Sequence, residues 1–249
     1  MDNAEKETAQ KYHSAVITLK FFAGELTREQ EIGIFWRLAG KAEKLVHNEQ
    51  EKPYMFYLKQ IGEGIHELNI SSINPDIIEA FVENARSLIE AGEGIDVQGI
   101  KIRPLDVFPV KDLDFIGEKV VLATETGCCC CKRIRTKTGK RSRYYLNPSK
   151  ESDAEEWKAI IARKLSERAA MFMGEEVPPE DIQIDILQVL DREFVKYKSA
   201  RLPTDKVQIE IAAPSPVIFT AIYGGIGSHT GAGFGAVRVS KRQLARGAA

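Results

Sequence analysis

Residues 225–235 read Gly225-Ile226-Gly227-Ser228-His229-Thr230-Gly231-Ala232-Gly233-Phe234-Gly235, two Gly-apolar-Gly triplets separated by five residues. Gly225, Gly227, Gly233 and Gly235 let the backbone take positive φ and admit close approach by a ligand or another chain segment. Exposed N–H groups in such a loop can bind phosphate oxygens. A dinucleotide fingerprint would need glycine at position 230, where Thr230 stands, and would lie between a strand and a following helix. A Walker loop would need Gly-Lys-Ser/Thr, which this loop lacks. The alternative is a tight structural turn with no ligand.

A second feature is charge. Lys132, Arg133, Arg135, Lys137, Lys140, Arg141 and Arg143 fall within twelve residues, with Thr138-Gly139 as the expected hairpin tip. On a twisted hairpin these side chains divide between two faces, so one face can present three or four of them to a phosphate track. The alternative is an ordinary solvated surface. Just before this cluster stand Cys128 to Cys131. Four adjacent residues on a strand point alternately to opposite faces, so they cannot surround one tetrahedral ion. They are expected to be small buried side chains, with no metal held. No constellation of carboxylates suggests a magnesium nuclease.

The whole chain frames these clusters. Its 249 residues suit one large domain or two small ones packed together. At 43% hydrophobic and 29% charged the composition is ordinary for a globular protein. The net charge of −1 makes no global demand for nucleic acid, so a polyanion site must come from a local cluster. No run of about 18 apolar residues exists, so no membrane-spanning helix is expected. Met1 to Lys11 is acidic and polar, unlike a secretory signal, and is expected to fray. Four contiguous cysteines make no disulfide framework, and a reducing cytoplasm is the expected location.

The elements that must position these clusters follow from periodicity. Ser14 to Phe22 reads as a strand. Thr27, with Gln30 three residues on, caps a helix whose apolar face is Ile32, Phe35, Trp36, Ala39, Ala42 and Val46. Tyr54 to Leu58 and Gly64 to Ile70 are strands. Pro75 opens a second helix that Gly92 ends, and Ile95 to Val107 is again strand-like. The order is β-α-β-β-α-β, the split unit of ferredoxin-like folds. The second half repeats the plan, with strands at Val120–Ala123, Cys128–Ile134 and Arg143–Leu146 and a long helix from Asp153 to Met173. Strands at Ile182–Tyr197 and Val207–Ala212, a short helix at Pro214–Gly224 and a last strand at Ala236–Val239 complete it. The expected fold class is α+β, two tandem ferredoxin-like (RRM-like) units at 14–107 and 119–239, joined by residues 108–118.

The spacing of the glycine triplets, near the C-terminus and after a short helix, resembles the signature loop of RAMP proteins. In particular it is similar to that of the CRISPR-associated endoribonuclease that matures guide RNA. Ser142 to Lys164 (SRYYLNPSKESDAEEWKAIIARK) resembles that family's proline-ended strand and following long helix. Residues 45–58 (LVHNEQEKPYMFYL) resemble its His-containing helix end, Lys-Pro and aromatic strand. The resemblance spans residues 14 to 239. It implies a metal-independent endoribonuclease that cuts CRISPR precursor RNA within its repeats. Attack by the 2′-OH would leave a 2′,3′-cyclic phosphate and a 5′-OH, with no cofactor. A non-catalytic RAMP subunit that holds guide RNA in an effector complex is the alternative, and a metabolic enzyme on the same scaffold a third.

The resemblance carries His47 over as the catalytic histidine and Lys52 as its cationic partner. The chemistry fits, because histidine can take either proton role and lysine can stabilise developing oxyanions. At a helix C-terminus the dipole would raise the pKa of His47 and favour its protonated form. In the family a tyrosine often lies a turn or more back along that helix. Here the GIFW segment carries Trp36, which leaves the second proton-transfer group unassigned. Tyr54 and Tyr57 are read as strand core or lining. His229 stands where the family usually has lysine or another polar residue, and is read as an RNA contact. With Gly225, Gly227, Gly233, Gly235 and the seven basic residues it makes up the expected RNA-binding set. His13 and His66 are read as structural or exposed, and the basic tail Lys241, Arg242 and Arg246 as disordered. CRISPR repeat RNA is the expected partner, and the resemblance leaves open effector-complex subunits and a second copy of the chain.

Overall fold

Two sheets of the same design carry the chain in the computed structural model, which describes residues 11–23, 25–40, 51–113, 117–136 and 138–240. The first is built from β1 (Ser14–Lys20), β2 (Tyr54–Gly62), β3 (Ile65–Ser72), β4 (Ile95–Val97) and β5 (Ile100–Val110), with helices α1 (Arg28–Ala39) and α2 (Pro75–Ala91). Its order is β2-β3-β1-β5-β4, and every pairing is antiparallel. The second contains β6 (Lys119–Thr124), β9 (Gln183–Tyr197), β10 (Ala200–Ala212) and β11 (Val237–Val239) in the order β11-β6-β10-β9. Helices α3 (Glu151–Met173) and α4 (Ser215–Gly224) serve it as crossovers. Leaving out β4, both sheets have the strand order of a βαββαβ ferredoxin-like unit. Between β6 and α3 the strands β7 (Cys131–Arg135) and β8 (Arg141–Tyr145) form a two-stranded sheet of their own.

Local chemistry explains the element ends. The Gln30 N–H donates to the Thr27 hydroxyl (3.3 Å) and the Thr27 N–H to the Gln30 side chain (2.9 Å), closing the capping box. Asn74 caps α2 ahead of Pro75, and Gly92 ends it at φ +66. Each unit has its own core. Phe35, Phe56, Phe81 and Ile17 are fully buried in the first, and Trp157, Leu165, Ile209 and Val217 in the second.

Several boundaries differ from the periodicity reading. The expected strand 95–107 is a hairpin, because Gln98 and Gly99 take φ +52 and +85 and reverse the chain between β4 and β5. β5 then continues to Val110, into the expected linker. β7 starts at Cys131 rather than Cys128. Cys128 bridges Asp205 and Cys129 bridges Ser228, so the chain there crosses between two different neighbours instead of laying one ladder. β10 starts at Ala200 rather than Val207. Pro203 fits within it because β6 pairs only with Gln208–Ala212 and the Cys128 bridge only with Asp205, which leaves Pro203 itself paired to β9 alone. On α1 the buried residues are Ile34, Phe35, Leu38 and Ala39, while Ile32 and Trp36 are half-buried. The helix closes at Gly40, and its expected continuation through Ala42, Val46 and His47 lies outside the described residues. So do Lys137 and the tail Lys241, Arg242 and Arg246.

Candidate functional site

The register of the β7–β8 hairpin sorts its charge. Arg133 lies opposite Arg143 and Arg135 opposite Arg141, so all four arginines share one face with Cys131 and Tyr145. The other face docks on α3. There Lys132 pairs with Glu156, and the Tyr144 hydroxyl donates to Asp153 at 2.9 Å. Among the described residues none of the four arginines forms an ion pair with a carboxylate. Directly opposed like charges destabilise a hairpin, and a polyanion laid along this face relieves that repulsion. Lys140 is exposed at the tip.

The inner end of this face opens on a cavity of about 1010 Å³ between the two units. Trp36, Lys52 and Tyr54 enter it from the first unit. Arg133 and Arg143 enter from the hairpin, Lys164 from α3, and Tyr197 from the end of β9. Ser228 to Ala232 supply the loop wall. The stem of Lys52 crosses directly over Gly231, where a Cβ would collide with its Cγ. Tyr54 is fully buried and its hydroxyl reaches the Gly231 carbonyl at 3.5 Å. Burial pushes its phenol well above the usual range, so it stays a neutral donor.

The glycine triplets fold on each other. Gly225, Gly227, Gly233 and Gly235 have φ between +65 and +77 and are buried. Ile226 N–H donates to the Gly235 carbonyl (2.9 Å) and Gly235 N–H to the Gly127 carbonyl (3.1 Å). The four glycines therefore serve approach of chain on chain, and the residues between the triplets, not the triplets, face the cavity. A Cβ at Gly235 would overlap the Ile226 carbonyl oxygen. Gly235→Ala is thus expected to cost about 2–5 kcal/mol, combining about 1–2 for a left-handed non-glycine residue and about 1–3 for overpacking. Chemical denaturation checks this, and an unchanged midpoint would contradict it.

His229 is half-buried, with φ +64. Burial, reinforced by the charges of Arg143 and Lys198, lowers its pKa. A neutral imidazole at neutral pH can accept as well as donate. Cys128, Cys129 and Cys130 lie buried beneath the loop, whereas Cys131 borders the cavity. His13 pairs with Asp112 at 2.6 Å, and His66 stacks on Phe21 at 3.9 Å.

Tyr197 and Arg168 escaped the sequence reading. Tyr197 gave no signal, since its place depends on β9 reaching across to the loop. Arg168 did give one. Helical spacing sets it on the face of Trp157, Ile161 and Leu165, where a charged residue has no place unless it is paired.

Two ferredoxin-like units that meet at a glycine-loop cavity, with a face of arginines leading into it, make a tandem RRM-like protein. Over residues 109–239 the sequence matches the family model of CRISPR associated protein Cas6, C-terminal, and the chain belongs to that family. No curated protein sequence matches it. Among solved structures, the product of a Cas6-related gene from Pyrococcus furiosus is similar with a TM-score of 0.73 at 17% identity, over 93% of this chain and 100% of that one. An RAMP protein described as binding different RNA substrates gives 0.70 at 17%, over 92% and 99%. Cas6 of Thermus thermophilus gives 0.57 at 13%, over 93% and 100%. At such identities the likeness is one of fold.

Proposed function

We propose that the protein cleaves CRISPR precursor RNA within its repeats, without a metal ion. The observation that carries this reading is the cavity, which gathers Lys52, the His229–Gly231 loop and the inner arginines Arg133 and Arg143 around one space. Family membership and the fold of an RNA-binding RAMP protein support the substrate class. The arginine face and the loop hold the phosphate backbone on either side of the cut. In the reaction a 2′-oxygen forms a bond to its own 3′-phosphorus while the bond from phosphorus to the 5′-oxygen breaks. The 2′ proton leaves to a base, and an acid protonates the departing 5′-oxygen. His47 takes one of these roles. Lys52 stabilises the charge that grows on the phosphorane oxygens. The products are a 2′,3′-cyclic phosphate and a 5′-OH.

The test is repeat RNA from the same genome, incubated with the protein in EDTA, beside an RNA carrying one 2′-deoxy sugar at the cut. Cleavage of the first RNA and not the second is expected. Loss of cleavage in EDTA would overturn the metal-free mechanism. Tight binding without cutting of either RNA would instead favour the second reading, a subunit that holds guide RNA in an effector complex. Trp36, standing in the cavity where a tyrosine is often found, is the observation that keeps this second reading alive.

A further inference from the structure

Arg168 is fully buried on α3, and its guanidinium is spent on four acceptors. Nη1 donates to the carbonyls of Gly225 (2.8 Å) and Gly224 (3.2 Å), Nη2 to that of Gly227, and Nε to Glu51 at 3.3 Å. The first three are carbonyls at the end of α4 and in the first glycine triplet, groups a helix end leaves without partners. The fourth lies in the other unit. Glu51 also accepts from Lys164, one turn earlier on α3, at 2.5 Å. Burial opposes ionisation of Glu51. The Lys164 hydrogen bond and the Arg168 charge outweigh it and hold the carboxyl below the usual carboxylate range. The next residue is Lys52, whose stem crosses Gly231.

A buried charge network of this kind is a poor way to gain stability, because well-packed apolar side chains do as well or better. What it supplies is register. The planar fork of Arg168 fits one arrangement of the three loop carbonyls and one position of Glu51. We propose that Arg168, acting through Glu51, is a positioning residue that fixes Lys52 against the glycine loop at the spacing the scissile phosphate requires. The proposal rests on the nuclease reading above. Arg168 touches no RNA in it, and works by holding two walls of the cavity in one geometry.

The test uses the full chain with Arg168→Lys and Glu51→Gln, each alone and each combined with Lys52→Ala. Single-turnover cleavage at saturating repeat RNA, Kd for the 2′-deoxy RNA and thermal unfolding are measured for every variant. Misplacing a reacting group by about 1 Å costs up to about 100-fold, so each single variant is expected to cleave at least about tenfold more slowly. Binding of the deoxy RNA by Glu51→Gln should stay within about threefold of wild type, because that substitution leaves the arginine face and the loop contacts of Arg168 in place. Added to Lys52→Ala, either substitution should slow the reaction little further, since both act through one group. A structural role alone would make the losses multiply, and that result overturns the proposal, as would either folded variant cleaving at the wild-type rate. Should Arg168→Lys fail to fold, Glu51→Gln decides, because it leaves the loop contacts of Arg168 in place. Failure of the wild type itself to cleave overturns the nuclease reading and this proposal with it. Cleavage by wild type with unaltered variants overturns this proposal alone.

Discussion

His47→Ala is expected to slow repeat cleavage by about 10²–10⁴-fold, the usual yield of one general acid or base. The effect should fall on the chemical step. Phosphate binding is assigned to the arginine face and the cavity loop, so Kd for the 2′-deoxy RNA should change by less than about twofold. On the proposed mechanism the residual rate comes from what the variant keeps, namely a positioned 2′-OH and the charge of Lys52, which lines the cavity. A single-turnover time course in EDTA measures both numbers. An unchanged rate would remove His47 from the reaction while leaving the family membership untouched. A rise in Kd with no change in rate would make it a binding residue.

The second large effect concerns salt. Replacing Arg133, Arg135, Arg141 and Arg143 together with glutamine removes four charges from one hairpin face. Each phosphate contact to a single strand contributes about 0.7 to the slope of log K against log salt, so the slope should fall by about 2.8. Between 50 and 200 mM salt the wild type should then lose roughly fifty-fold more affinity than the variant. Filter binding at the two salt concentrations reads this directly. The fold should survive, because the substitution removes two directly opposed like-charge pairs and leaves Lys132–Glu156 and Tyr144–Asp153 holding the other face. An unaltered slope would place the RNA somewhere other than along the hairpin.

Elements governed by local chemistry are legible in the amino-acid sequence. Thr27 with Gln30, Pro75, and Gly92 each announce a helix end through a side-chain or backbone property of their own. The βαββαβ order follows from counting such elements, and both sheets have it. Periodicity does not reach features decided by a distant neighbour. Pro203 argues against a strand, yet it lies in β10 where only β9 pairs. The Gln98-Gly99 reversal is hidden inside a run that alternates like one strand. In the site, the sequence names Lys52, Arg133, Arg143 and His229 separately, and the fold lines one cavity with all four. Spacing also assigns the four outer glycines to RNA, whereas packing buries them and turns Ser228 to Ala232 toward the space. That division depends on which backbone atoms meet across the loop, and spacing alone does not reveal it.

Helix α3 grips the arginine hairpin near its start, through Asp153 and Glu156, and the glycine loop near its end, through Arg168. From Asp153 to Arg168 an α-helix advances about 22 Å, at about 1.5 Å per residue. The helix therefore gauges the distance between the arginine hairpin and the glycine loop. One residue added or removed between them would turn one grip by about 100° against the other. The length of α3 is thus constrained in this molecule even where the identity of its outward side chains is free.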